Sequence, residues 1–265
     1  MLMGRITLQN DSSTKTFTFL EQIDENGKAA VTYRAYKDDT TMGTLQEFYP
    51  KWFGGLKRDS EGYVSCSAEK QEEFYRLRDD YLRPYMLIAG KEHNQLAALV
   101  PAFEIYHGGD TAYIWTPKRE DYTFDKFCRV IHKHPSIGAK YRLIQVFRGF
   151  KALAECTAYL HNLSIFNLGI KPSNLGFTER LNEPLIHILS MFETTTTEGD
   201  NAHDIHAIGE AIFRAIVVTP ETNDASYPDE HLERIDELVN SSKLIQSAGL
   251  GHKLKSKISE LLRNV

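Results

Sequence analysis

Two small groups of side chains have types and spacings that suit chemistry. His203 and His206 lie three apart, with Asp204 between them. On a helix the three could share a face and offer two imidazoles and a carboxylate to a divalent cation. His132 and His134 lie two apart, just ahead of Pro135. Neither group brings a convincing further ligand, so no metal is expected. Cys66, Cys128 and Cys156 are far apart and form no C-x-x-C pair, which reads as three reduced thiols in a cytosolic protein. Lys171-Pro172-Ser173-Asn174 places a cation beside an amide in a turn-like run. The simplest roles there are a surface ion pair for Lys171 and backbone hydrogen bonds for Asn174. Asp38-Asp39 and the basic Lys51, Lys57 and Arg58 read as solvated surface.

The elements around these residues follow from periodicity. Alternation predicts strands over 5–9, 15–20, 30–36 and 42–48, with turns at 24–27 and 37–39. Residues 51–66 read as a loop. Ser67 is the expected N-cap of a helix carrying Phe74, Leu77, Tyr81 and Leu82, which Pro84 should kink or stop. Residues 103–107 and 111–115, joined by Gly108-Gly109-Asp110, form a hairpin pattern. Helices are expected over 122–131 and 141–161, the latter with its stripe on Leu143, Phe147, Phe150, Ala154 and Ala158. Two short strands follow at 175–177 and 185–189. A helix from about 203 carries Ile205, Ile208, Ile212 and Ile216, and helices at 230–239 and 253–262 close the chain.

Composition bounds the function classes. The 265 residues are 42% hydrophobic and 25% charged, with a net charge of −5. Those values suit a globular protein with a sizeable core and argue against a nucleic-acid surface. No apolar run is long enough to cross a bilayer, and no secretory h-region opens the chain, so a cytoplasmic location is expected.

The ordered motifs resemble a degenerate bacterial protein kinase of the Ser/Thr type. Lys171-Pro172 and Asn174 match the Lys-Pro and final Asn of the family's catalytic loop. Leu160-His161 matches the end of the preceding helix, and Asp204-Ile205-His206-Ala207-Ile208-Gly209 matches the start of the central one. The likeness runs from about residue 15 to the end. It implies an α+β, two-lobed kinase-like fold, with a strand-rich small lobe over 1–116 and a mainly helical large lobe over 117–265, linked at Trp115-Thr116-Pro117.

The same resemblance implies that the chemistry is lost. The His-Arg-Asp triplet falls on Asn167-Leu168-Gly169, so the base position holds Gly169. The strand Lys falls on Gln46, its helical Glu partner near Pro84, and the metal Asp on Ser190. The phosphate-loop glycines fall on Glu25, Gly27 and Ala30. Only 14 positions separate Ser190 from Asp204, so the activation loop is essentially missing. Asp204 is expected to hold the loop backbone, a structural duty. The implied role is an inactive kinase-like protein, without a cofactor, that binds or regulates a protein partner. The alternative is an atypical nucleotide-dependent transferase that binds Mg-ATP through Gly27, Lys171, Asn174 and Glu193. A third reading is a module of a larger assembly whose cleft holds another small ligand.

Overall fold

A computed structural model describes residues 4–24, 29–89, 102–118, 122–133, 138–171, 174–180, 183–188, 201–217 and 235–263. The described residues divide into two compact units, one ending at residue 118 and the other beginning at residue 122.

The first unit is built on alternating strands. β1 (Arg5–Gln9) turns its even residues inward, so Ile6 and Leu8 are buried. It pairs antiparallel with β2 (Thr14–Asp24), placing Ile6 opposite Phe17. β3 (Ala30–Lys37) and β4 (Thr41–Phe48) form the next hairpin. Its turn residues, Asp38 and Asp39, adopt φ of 50° and 55°, a left-handed pair that lets the turn match strand twist. Asp38 accepts from the Thr16 N–H at 3.1 Å, and Lys15 donates to it at 2.8 Å. These contacts hold its carboxyl below the ordinary carboxylate range.

Residues 51–66, expected as loop, contain a small hairpin, β5 (Leu56–Arg58) with β6 (Val64–Cys66). Three-residue strands are too short to display a period. A 3₁₀ turn over Ala68–Lys70 leads into α1 (Gln71–Ile88). Ser67 makes no side-chain cap, contrary to expectation. Pro84 lies inside α1, which runs four residues beyond it. Its missing N–H removes one i→i−4 bond, which the rest of the helix tolerates.

β7 (Glu104–Gly108) and β8 (Thr111–Pro117) complete the unit. The strands close into a barrel in the order β1-β2-β3-β4-β8-β7, sealed where Gln9 meets His107. Phe17, Leu45, Tyr106 and Trp115 fill its interior. Trp115–Pro117, expected as the link between lobes, instead belong to β8, and Trp115 is fully buried. Gly43 makes room for it: a Cβ there would lie 2.7 Å from the indole and 2.3 Å from the Thr116 carbonyl. Phe48 and Phe74 pack α1 onto the outside of β4, with ring centroids 5.3 Å apart.

The second unit begins with β9 (Tyr122–Thr123), so the helix expected from residue 122 starts at α2 (Phe124–Lys133). α3 (Ala139–Asn162) buries Leu143, Val146, Phe150, Leu153, Cys156 and Leu160. The expected stripe was rotated: Ala154 and Ala158 are exposed and Phe147 is half-buried. β10 (Leu175–Arg180) and β11 (Glu183–Ile188) pair antiparallel, and β9 adds to β10. α4 (Ala202–Val217) buries Ile208, Ile212 and Ile216, whereas Ile205 is exposed. α5 (Ile235–Ser241), α6 (Lys243–Ser247) and α7 (His252–Arg263) follow. The expected helix over 230–239 is seen from Ile235, and its earlier residues lie outside the described ones. Among the described residues no helix is long and apolar enough to cross a membrane.

Candidate functional site

The loop after α3 is shaped by backbone conformation. Ser164, Asn167 and Gly169 adopt φ of 58°, 55° and 65°, so three residues out of six are left-handed. Each is followed, at once, by a buried residue, Ile165, Leu168 and Ile170, and these anchor the loop. Ser and Asn at positive φ carry a steric cost that the surrounding contacts must hold in place.

The anchor from below is Asp204, at the start of α4 and fully buried. Its Oδ1 accepts from the Leu168 N–H at 2.8 Å, and its Oδ2 lies 2.9 Å from His161 Nε2. One carboxylate therefore ties the end of α3 to the middle of the loop. The His161 ring, 5.3 Å from Phe166, extends that contact into packing. Sequence reasoning read His161 only as the end of a helix and missed this pair.

At the far end of the loop, Asn174 Nδ2 donates to the Gly169 carbonyl at 3.0 Å, and the Asn174 N–H donates to the Lys171 carbonyl at 2.8 Å. Lys171 is exposed. The structure thus brings Asn167, Gly169, Lys171 and Asn174 into one short loop with Asp204 beneath it. Gly27, Glu25, Pro172, Ser190 and Glu193 lie outside the described residues.

The suggested metal trio does not assemble. His203 and His206 are exposed, while Asp204 turns inward to Leu168 and His161. A helix places residues 203 and 204 about 100° apart, so burying one carries the other away. Among the described residues no group of three His, Cys, Asp or Glu is arranged to hold a metal. His134 lies outside them.

In the first unit, Gln46 sits on β4 opposite Thr32 and Ile114. Its side chain is buried, and Tyr85 of α1 donates to its Oε1 at 3.2 Å. The strand-to-helix bridge is neutral and reaches the residue beside Pro84, near where the helical carboxylate was expected.

The next residue, Glu47, is 1% exposed and was not singled out by sequence. Tyr33 and Tyr113 each donate to it at 3.0 Å, and Arg58 pairs with both of its oxygens. Burial, then the Glu47 charge, pushes both phenols well above their ordinary range. Arg58 also lies 5.0 Å from the Tyr49 ring centroid. Arg58 is exposed, as expected of surface, but it is not a free charge: its guanidinium is also the counter-ion of a buried carboxylate.

No family model and no curated protein matches this chain. Solved structures that are similar to it include mutant forms of the Mycobacterium tuberculosis PknI kinase domain. A single mutant has 12% identity and a TM-score of 0.48, with 98% of each chain covered. A double mutant has 12% identity and a TM-score of 0.49, covering 98% of this chain and 99% of that one.

Proposed function

We propose that this chain is a kinase-like scaffold without phosphoryl-transfer groups that binds or regulates a protein partner. The observation that carries the reading is the loop over Leu168–Asn174. Its side-chain anchors serve the loop itself: Asp204 holds Leu168, and Asn174 holds the carbonyl of Gly169. Position 169 offers no carboxylate to take a hydroxyl proton. A kinase needs a base, metal-holding side chains and cations against the phosphates. Gln46 is neutral and bonded to Tyr85, which leaves Lys171 as the cation of the set. Removing one electrostatic group typically costs about 10²–10³ in rate, and here several are replaced together. A two-unit scaffold lacking those groups retains its surfaces as its means of acting.

The test is a thermal melt with 1 mM ATP, with and without magnesium, beside an untreated control. No shift is expected. Binding at about 10 μM would stabilise the protein by roughly 2.7 kcal/mol. For this size that is a rise of several degrees, at about 2–4 °C per kcal/mol. A magnesium-dependent rise would overturn the reading in favour of an atypical transferase using Lys171, Asn174 and Glu193.

A further inference from the structure

The rotated stripe of α3 has a consequence on the surface of the second unit. Phe147, Ala154 and Ala158 face an open cavity of about 690 Å³ whose other walls include Ile205 and Ile212 of α4 and Leu261 of α7. A second cavity of about 410 Å³ shares Phe147 and Leu261 with the first and runs on between α3 and α7, past Ile144 and Leu254. Together they follow α3 from Lys140 to Asn162, nearly all of a helix about 36 Å long. Ile144, Ile205, Leu254 and Leu261 are each two-fifths to one-half exposed. The trough is continuous along α3, unlike scattered surface leucines, and gives an occupant an apolar floor.

The walls also restrict the occupant. Among the described residues, three α-helices supply most of the walls, with Asn201 and Leu250 just ahead of α4 and α7, and away from the helix ends their backbone groups are already paired within the helices. An extended peptide laid there would find no strand edge among the described residues, and its own N–H and C=O groups would go unpaired by them. A helix satisfies its backbone internally and presents apolar side chains every three or four residues, which suits such a floor. The charges favour one kind of flank. Among the described residues, every Asp, Glu, Lys or Arg in either wall is a lysine: Lys151 in the larger cavity, Lys140 and Lys257 in the smaller. Lys151 lies 3.5 Å from Glu155 on its own helix, while Lys140 and Lys257 make no ion pair among the described residues.

We infer that this trough binds an amphipathic helix of a protein partner, with leucine-like anchors along one face and acidic residues on its flanks. The inference rests on the partner-binding reading and gives that partner a chemistry and a docking place.

The probe is a fluorescent helical peptide of about eighteen residues with leucines at i, i+3, i+7 spacing and glutamates on both flanks. It is titrated against the full chain and followed by anisotropy. Binding on the order of 10 μM is expected, weakening with salt as exposed charges are screened. A peptide with the same leucines and lysine flanks should bind at least about tenfold more weakly. Leu261→Glu, at an exposed position, should weaken the acidic peptide at least about tenfold while leaving the melting temperature within a few degrees. Lys140→Glu with Lys257→Glu, on the rim, should shift the preference toward the lysine-flanked peptide without touching the apolar floor. Absence of saturable binding would overturn the proposal, as would equal affinity in the Leu261→Glu and rim variants. Co-sedimentation with phosphatidylglycerol vesicles in place of peptide binding would reassign the trough to a lipid and overturn it too. The nucleotide melt reports on different residues, so a negative peptide titration and a positive ATP shift are separable results.

Discussion

The Tyr85 hydroxyl donates to Gln46 Oε1 across 3.2 Å, joining α1 to the centre of β4 without a charge on either side. Both residues are buried, so the bond offsets part of the desolvation of its two polar atoms. Tyr85→Phe removes the donor and should cost about 0.5–1.5 kcal/mol. Gln46→Lys installs a cation beside a phenol that offers no counter-charge, and should cost more, about 1–3 kcal/mol. Urea denaturation of the two variants checks the order. A lysine variant as stable as the parent would show that a carboxylate reaches position 46.

Asp204 carries a larger share of the second unit. Its carboxylate accepts from the Leu168 N–H and meets His161, and it is fully buried. Asp204→Ala should destabilise the protein by about 1–3 kcal/mol, because a buried backbone donor is left unmade. His161→Ala should cost part of that, since it removes one of the two partners. The double variant should then fall short of the sum, as contacting residues couple. Strict additivity in denaturation experiments would remove the argument that one carboxylate joins helix and loop.

The strand pattern of the first unit was legible because β1 and β3 alternate, as does the start of β4 before it runs buried from Leu45 to Phe48. Barrel closure was not, since it depends on Gln9 reaching His107, nearly a hundred residues away. The α3 stripe shows a different limit. Ala154 and Ala158 fit the apolar period as well as Leu153 and Cys156 do, and a small side chain weakly specifies which face is buried. At the site, Asn174 and Asp204 stood out through their spacing. Glu47 did not, because a lone acid in a strand resembles a solvent-facing residue until Tyr33, Tyr113 and Arg58 converge on it.

Asp110 gives the first unit an acid limit. At the β7–β8 turn it accepts from the Tyr75 hydroxyl at 2.7 Å and the Cys66 N–H at 2.8 Å. Partial burial raises its pKa, but these hydrogen bonds, Gln71 and the nearby Arg78 outweigh that and leave it lowered. A lowered folded pKa contributes stability above the unfolded value of about 3.9, and that contribution is lost as pH falls through the folded pKa. Asp110→Asn should therefore be less stable than the parent at pH 7, with the gap narrowing below about pH 4. Denaturant melts of both proteins across that range are the measurement. A gap independent of pH would mean the carboxylate is not preferentially ionised in the folded state.

Installing kinase side chains should not confer kinase activity. Gly169→Asp, Gln46→Lys and Ser190→Asp together would supply a base, a strand cation and a metal carboxylate in name. Position 169 holds φ of 65°, where a non-glycine residue carries a strain cost of about 1–3 kcal/mol, so an aspartate there would pull against the loop that Asn174 and Asp204 fix. Lysine at 46 would displace the Tyr85 contact without gaining the carboxylate that orients it in a kinase. Only 14 positions separate 190 from Asp204, leaving little chain for a substrate platform. Transfer of radiolabelled phosphate from ATP to a generic protein substrate should stay at the level of a no-enzyme control, with circular dichroism confirming that the triple variant remains folded. Robust transfer by the folded variant would show that three side chains suffice for the chemistry, and that the loop can accommodate a base at position 169.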